Sequence, residues 1–184
     1  TATFTAAPPT ATNTPAGPTT VTIPAGANTG GVFSPPATVF GAPNAGDDDA
    51  NAARQGFVTF ALSGIPAGAT ITAVKLDLTP FDQLGNPFSL GCLRVYQQDF
   101  GALDAGDFFG GSPLGALWRF CSAGDLSNAG IQAMDASGLS LVQTALAAGQ
   151  FQIRLQFNEN ATNSNGALDL LRPSPQLIVT YTGP

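Results

Sequence analysis

The stretch that decides the fold is QGFVTFALSGIPAGATITAVKLDLT, residues 55–79. Apolar residues occupy alternate positions in both of its halves: Val58, Phe60 and Leu62, and then Val74, Leu76 and Leu78. A period of two is typical of β-strands that bury one face. Residues 63–69 (SGIPAGA), between the halves, carry the glycines and the proline that favour turns. The stretch therefore predicts a hairpin of two antiparallel strands in a β-sandwich.

The rest of the chain repeats this pattern in shorter segments. Further strands are predicted at residues 19–23, 38–40, 90–97, 117–121, 151–157 and 176–182. One helix is predicted at residues 139–148, ending at Gly149. The fold class is therefore predicted as all-β: a two-sheet antiparallel jelly-roll sandwich of about nine strands, with an extended N-terminal tail or strand.

The same stretch carries a motif that resembles a known family. Residues 54–71 read RxGxVxFxLSxIPxGAxI, and later landmarks are ASGL at 136–139, the strand at 151–157 and RPxPQLxVxY at 172–181. Over residues 21–182 the chain is similar to DNRLRE-type domains, secreted jelly-roll β-sandwich modules that are like carbohydrate-binding modules. The resemblance implies fold and secretion. It leaves activity open, since some relatives are associated with carbohydrate binding and many are structural modules of cell-surface proteins. Residues 81–127 depart from the family pattern.

Composition favours one domain, residues 18–184, preceded by a Thr/Pro-rich tail, residues 1–17. Charged residues make up 10% of the 184-residue chain, against roughly 25% in an average globular protein. The net charge is −6 and the six basic residues are scattered, so we expect no nucleic-acid partner. No apolar run approaches the ~20 residues that span a bilayer, so we expect no membrane span.

The compartment is predicted as extracellular or cell-surface. The chain starts at Thr1 without a methionine or a signal peptide, which we interpret as a mature secreted form. Two cysteines, Cys92 and Cys121, fit an oxidising compartment. We expect them to form a disulfide, and the alternative is two buried free thiols.

The N-terminal tail has two readings. Thr1, Thr3 and Thr5 alternate with Ala2, Phe4 and Ala6 before Ala7 and two prolines, which predicts a short strand with one apolar face. Seventeen extended residues reach roughly 56 Å, further than the ~40 Å breadth of a domain of this size. The segment Thr1–Ala7 can therefore add as a strand to a neighbouring copy and link a homopolymer. The other reading is a disordered or O-glycosylated linker, with Thr10, Thr12 and Thr14 as acceptors.

Catalytic groups are scarce in the sequence. The chain has no histidine, which excludes Ser-His-Asp and Cys-His nucleophile systems. Glu159 is its one glutamate, and the nearest candidate for a carboxylate pair is Asp104 with Asp107. A solvated loop explains that pair equally well, so we expect no enzymatic activity.

An acidic loop is the candidate for a cofactor. Asp47, Asp49 and Asn51 place oxygen ligands at alternate positions, as calcium loops do. The loop departs from the EF-hand pattern, because Ala52 and Val58 stand where that pattern requires glycine and glutamate. We therefore expect either calcium held with help from elsewhere or solvated turn residues.

Aromatic residues in the middle of the chain are candidates for a contact surface. Phe108, Phe109, Trp118 and Tyr96 could form a platform for glycan rings, a subunit contact or part of the core. Asn160 lies in the one N-glycosylation sequon. Together these features predict a non-catalytic structural subunit of an extracellular filament or surface assembly, and the alternative is a carbohydrate-binding module of a secreted or cell-surface protein.

Overall fold

The computed structural model describes residues 17–34, 37–110, 116–157 and 162–183. The described chain contains thirteen strands and two α-helices. The strands are β1 Thr19–Pro24, β2 Gly30–Phe33, β3 Ala37–Phe40, β4 Ala45–Asp47, β5 Ala53–Ala61, β6 Thr70–Asp77, β7 Phe81–Leu84, β8 Leu93–Gln97, β9 Trp118–Phe120, β10 Ile131–Ala133, β11 Gln150–Gln156, β12 Asp169–Pro173 and β13 Gln176–Thr182. The helices are α1 Ala123–Ala129 and α2 Ala136–Ala148, and short 3-10 helices span Pro87–Leu90 and Ala105–Asp107.

The strands form two antiparallel sheets that are packed face to face. The smaller sheet has four strands in the order β1-β13-β6-β10. The larger has nine, seven of them in the order β7-β12-β4-β5-β11-β8-β9. It branches at β5, which also pairs with β2, and β2 pairs with β3. The all-β sandwich is confirmed, although the predicted number of strands was too low because the short strands β2, β4, β7, β10 and β12 were missed.

The core lies between the sheets. β5 contributes Val58 and Phe60 from one side, and β6 contributes Val74 and Leu76 from the other; all four are at most 1% exposed. The predicted hairpin was therefore wrong. β5 and β6 belong to opposite sheets, and their apolar faces meet through side chains instead of being joined by backbone hydrogen bonds.

Helix α2 closes one side of the sandwich. Asp135 caps its N-terminus with a carboxylate that accepts the Gly138 N–H (2.9 Å), and Gly149, which has a left-handed φ of 74°, caps its C-terminus. Gln143 fastens the helix to the smaller sheet, because its side-chain oxygen accepts the Ile71 N–H (2.8 Å). The helix was predicted with its correct end and a start three residues too late, while α1 was not predicted.

The disulfide between Cys92 and Cys121 is confirmed. It joins the residue before β8 to the residue after β9, and so reinforces a two-strand pairing at one edge of the larger sheet. For a sequence separation of 29 between the cysteines, the chain-entropy model gives a stabilisation of about 3.5 kcal/mol.

Candidate functional site

One sheet edge stands out among the described strands. β3 pairs only with β2, so its other edge meets no described strand. Its sequence, ATVF, has no charged side chain. Val39 is 44% exposed and Phe40 is 61% exposed, the highest value among the large apolar side chains described. An uncharged, apolar edge strand is a template for pairing with another chain.

A cleft of about 300 Å³ adjoins this edge. Gly41, directly after β3, lies in its wall together with Pro24 at the end of β1. The turn between β12 and β13 contributes Pro173 and Pro175. Apolar proline rings therefore form much of the wall, and the cleft lies at the end of β1 that is opposite to Gly17, where the described chain begins.

The predicted aromatic platform is not brought together. Trp118 pairs with Val95, and both side chains pack in the core. Tyr96, the next residue after Val95, lies on the outer face of the larger sheet. Phe108 packs with Val32, Phe57 and Leu103 in a second, smaller apolar cluster. Tyr96 and Phe109, however, contact the same side chain.

That neighbour is Arg154, which lies between the two rings. Its guanidinium carbon is 4.8 Å from the Tyr96 ring centroid and 4.3 Å from that of Phe109. Burial lowers the pKa of Arg154 to about 10, while Tyr96 acts in the opposite direction, so the side chain is still a cation at neutral pH. Two cation–π contacts and a hydrogen bond to Gln98 hold this buried charge. The outer face thus carries a stack of Tyr96, Arg154 and Phe109. Within this stack, the Phe109 side chain is 38% exposed.

Buried glutamines attach the 98–110 loop to this face. Gln55 exchanges two hydrogen bonds with the backbone of Phe109, 2.7 and 2.9 Å long. Gln152 accepts the N–H groups of Phe100 and Gly101 and donates to the Gly101 carbonyl and to Thr59. The described part of this loop is therefore fixed to the sheet.

The candidate carboxylate pair has a structural role. Asp104 accepts the Gly106 N–H (2.6 Å), and Asp107 accepts the Asp104 N–H (2.8 Å), which together cap the 3-10 helix Ala105–Asp107. Burial raises the pKa of Asp107. The hydrogen bond from the Asp104 backbone lowers this pKa in part, and the Asp104 charge raises it further. Both side chains therefore hold the backbone of this 3-10 helix in place.

The three residues of the calcium prediction face different neighbours. Asp49 is exposed, and the Asn51 side chain accepts the Gly166 N–H (3.0 Å). Asp47 is fully buried and pairs across strands with Asp169, which sequence reasoning missed because no local motif marks it. Among the described residues, no three His, Cys, Asp or Glu side chains form a metal-holding group. The calcium prediction for Asp47, Asp49 and Asn51 stays a prediction.

Asp48 lies beside these residues and is engaged in the one ion pair found between described side chains. It meets Arg54 at 3.0 Å and also accepts the N–H groups of Ala50 and Ala52. Although burial alone would raise the pKa of Asp48, these hydrogen bonds and the Arg54 charge lower it. Asp48 therefore fixes the loop between β4 and β5.

Several predicted residues lie outside the described part of the chain. They are the candidate inter-subunit strand Thr1–Ala7 and the candidate glycan acceptors Thr10, Thr12, Thr14 and Asn160. The described helices include none with the length and apolar character needed to cross a membrane. In the comparisons with known proteins, no protein-family model and no curated protein matches the chain.

Proposed function

We propose that the chain is a non-catalytic structural subunit of an extracellular filament or surface assembly. In this proposal the N-terminal segment Thr1–Ala7 of one copy adds as a strand to the open edge of β3 in the next copy. The observation that carries the proposal is that edge, on which Val39 and Phe40 are exposed without any charge beside them.

The other sheet edges support the choice of β3. Soluble proteins protect edge strands with charges, shortness or proline. β7 presents Asp82 and β9 presents Arg119, and β10 has only three residues. β1 exposes threonines and ends at Pro24. Among the edges of the described sheets, β3 is the one that combines an open edge with two exposed apolar side chains, so added backbone hydrogen bonds would also bury apolar surface.

The cleft suggests where specificity arises. The segment TATFTAA contains one large apolar side chain, Phe4. A cleft of about 300 Å³ with proline walls, next to Gly41, is suited to receive one such ring when the strand lies along β3. We therefore expect Phe4 to occupy this cleft in the neighbouring copy.

The position of the two features favours a polymer over a closed dimer. β1 has six residues and spans about 20 Å at ~3.3 Å per residue. The tail leads into the first residue of β1, Thr19, whereas the acceptor cleft lies beside its last residue, Pro24. A contact between different surfaces of successive copies is heterologous, and it continues indefinitely unless the rotation closes a ring. The disulfide agrees with an extracellular location.

The test compares two lysine variants of the full chain. Phe40→Lys places a charge on the open edge, and Leu141→Lys places one on α2, where Leu141 is 37% exposed. We expect Phe40→Lys to elute as monomer in size-exclusion chromatography, while Leu141→Lys forms the same filaments as wild type in electron micrographs. Filaments of Phe40→Lys with normal length would contradict the proposal, as would a wild-type chain that remains monomeric.

A carbohydrate-binding module is the second candidate, and the stack of Phe109 on Arg154 favours it. Phe109 is 38% exposed on a loop that Gln55 holds by hydrogen bonds, as a sugar platform requires. Glycan-array binding that Phe109→Ala abolishes would support this function. Trp118→Ala is unsuited to the test because that side chain packs in the core. A wild-type chain that binds no glycan on the array and still forms filaments would exclude a carbohydrate-binding function.

A further inference from the structure

Two buried carboxylates face each other at the rim of the core. Asp47 in β4 and Asp169 in β12 are direct partners across the two strands, and they are 0% and 3% exposed. Directly opposed side chains in an antiparallel pair have Cβ atoms about 4.5–5.5 Å apart, and like charges at such positions destabilise a sheet. They lie on the same face as Ala45 and Leu171, which belong to the core. Other groups must therefore offset the unfavourable free energy of burying these two carboxylates side by side.

Neutral donors supply part of this compensation. The Asn163 backbone N–H donates to Asp47 Oδ2 (3.1 Å), and its side-chain amide donates to Asp169 Oδ2 (2.7 Å). Asp169 also accepts the Asn86 backbone N–H and the Asn165 side chain (3.0 Å). No described Lys or Arg lies within 4.0 Å of either carboxylate.

One oxygen in the pair has no partner. Asp47 Oδ1 is buried and accepts no hydrogen bond from any described group. The other oxygen of the same carboxylate is linked through Asn163 to Asp169, so the unpartnered atom belongs to a carboxylate that shares a hydrogen-bonded neighbour with the second acidic group. A buried carboxylate oxygen without a donor or a cation is costly.

We propose that Asp47 and Asp169 together hold a calcium ion that connects β4 and β12 to the 162–168 loop. The Oδ1 atom of Asp47 and the carboxylate of Asp169 are the charged ligands. Neighbouring hydroxyl, amide or main-chain oxygens and water complete the shell; the Ser89 hydroxyl lies 3.0 Å from the Asn163 amide. This site differs from the local set Asp47, Asp49 and Asn51, because its second carboxylate comes from the other end of the chain.

The chemistry of the donors selects the ion. The ligands in this proposal are all oxygens, which suit calcium, magnesium and manganese better than softer metals. Calcium accepts six to eight oxygen ligands in irregular arrangements, whereas magnesium requires near-ideal octahedral geometry. A site assembled from two strands and a loop of asparagines fits the more tolerant ion.

The test is calcium titration of the full chain after treatment with EDTA, followed by calorimetry and thermal unfolding. Wild type is expected to bind one calcium per chain with a raised Tm, and to respond less to magnesium. Asp47→Asn and Asp169→Asn should each weaken binding by at least about tenfold, while Asp49→Asn, the matched control on the exposed neighbour, binds as wild type does. Asp47→Asn gives the result even if Asp169→Asn does not fold.

Three results would overturn the proposal. The first is a wild type that shows neither binding heat nor a change in Tm. The second is unchanged binding by Asp47→Asn. The third is loss of binding in Asp49→Asn with wild-type binding in Asp169→Asn, which would assign the ion to the local acidic loop instead.

Discussion

Phe40 pairs with Gly30 across β3 and β2, and beyond it the sheet has no further described strand. The pair is unusually close. A Cβ atom on Gly30 would lie 2.3 Å from the Val39 carbonyl oxygen and 3.0 Å from the Phe40 Cα. The exposed edge is thus held in place by a glycine that allows its backbone to approach.

Replacement of this glycine should displace β3. We expect Gly30→Ala to lower the free energy of unfolding by about 1–3 kcal/mol, because the added methyl overlaps backbone atoms, and to reduce assembly. Gly64→Ala is the control, since its Cβ would have no heavy atom within 4 Å. Urea unfolding measures both variants. A stability of Gly30→Ala equal to that of the control would show that β3 is free to shift.

Loss of Gln152 should release the 98–110 loop. The side chain makes four hydrogen bonds, to Phe100, to Gly101 twice and to Thr59. We expect Gln152→Ala to cost about 2–4 kcal/mol, because several buried polar groups lose their partners together. Hydrogen exchange of the Phe100 and Gly101 amides should accelerate strongly. Gln150→Ala, in the same strand, should leave both amides protected. Equally accelerated exchange in the two variants would contradict the role of Gln152 in holding the 98–110 loop on the sheet.

Asp48 should make the protein sensitive to acid. Its pKa is lower in the folded protein than its ordinary value of 3.8, so the ionised form favours folding. This contribution is complete above about pH 4 and is lost as the pH falls through the lower, folded value. Asp48→Asn removes this contribution. Between pH 4 and pH 2, the free energy of unfolding of the variant should therefore change less than that of wild type. Parallel pH profiles for the two proteins would contradict this assignment.

Removal of the disulfide should weaken the edge of the larger sheet. The double variant Cys92→Ser, Cys121→Ser is expected to lose about 3.5 kcal/mol, the chain-entropy value for a loop of this length. Reduced wild type should match the double variant in urea unfolding. A much smaller loss in both would mean that the disulfide constrains the unfolded chain less than the chain-entropy model gives.

The alternation of residues 55–79 was enough to predict which side chains face the core between the sheets, but it did not specify the sheet. It also missed that Phe57 and Thr59, on the other face of β5, are buried. Val58 and Val74 both point into the core, as expected, yet from opposite sheets. A period of two indicates which face of a strand is buried, but it does not indicate which strands are its hydrogen-bonded neighbours. The turn at residues 63–69 can connect strands within one sheet or across two, because its residues permit either.

The sites were harder to predict than the fold, because they depend on register between distant strands. Trp118 and Tyr96 both lie in strands, but β8 and β9 are joined by a long connection whose length does not fix their register. Trp118 therefore opposes Val95 and faces the core, while Tyr96 faces outward. Asp47 and Asp169 meet for the same reason: their strands pair across most of the chain, and no local spacing indicates it.

The most direct test of the central claim is an NMR titration of a chain that lacks residues 1–16 with the peptide TATFTAA. This deletion retains every described strand and helix. We expect saturable shifts of the Thr38, Val39, Phe40 and Gly41 amides, and weak or absent shifts with the peptide TATATAA, in which Phe4 is replaced by alanine. No shift at β3, or equal shifts with both peptides, would contradict strand addition at this edge.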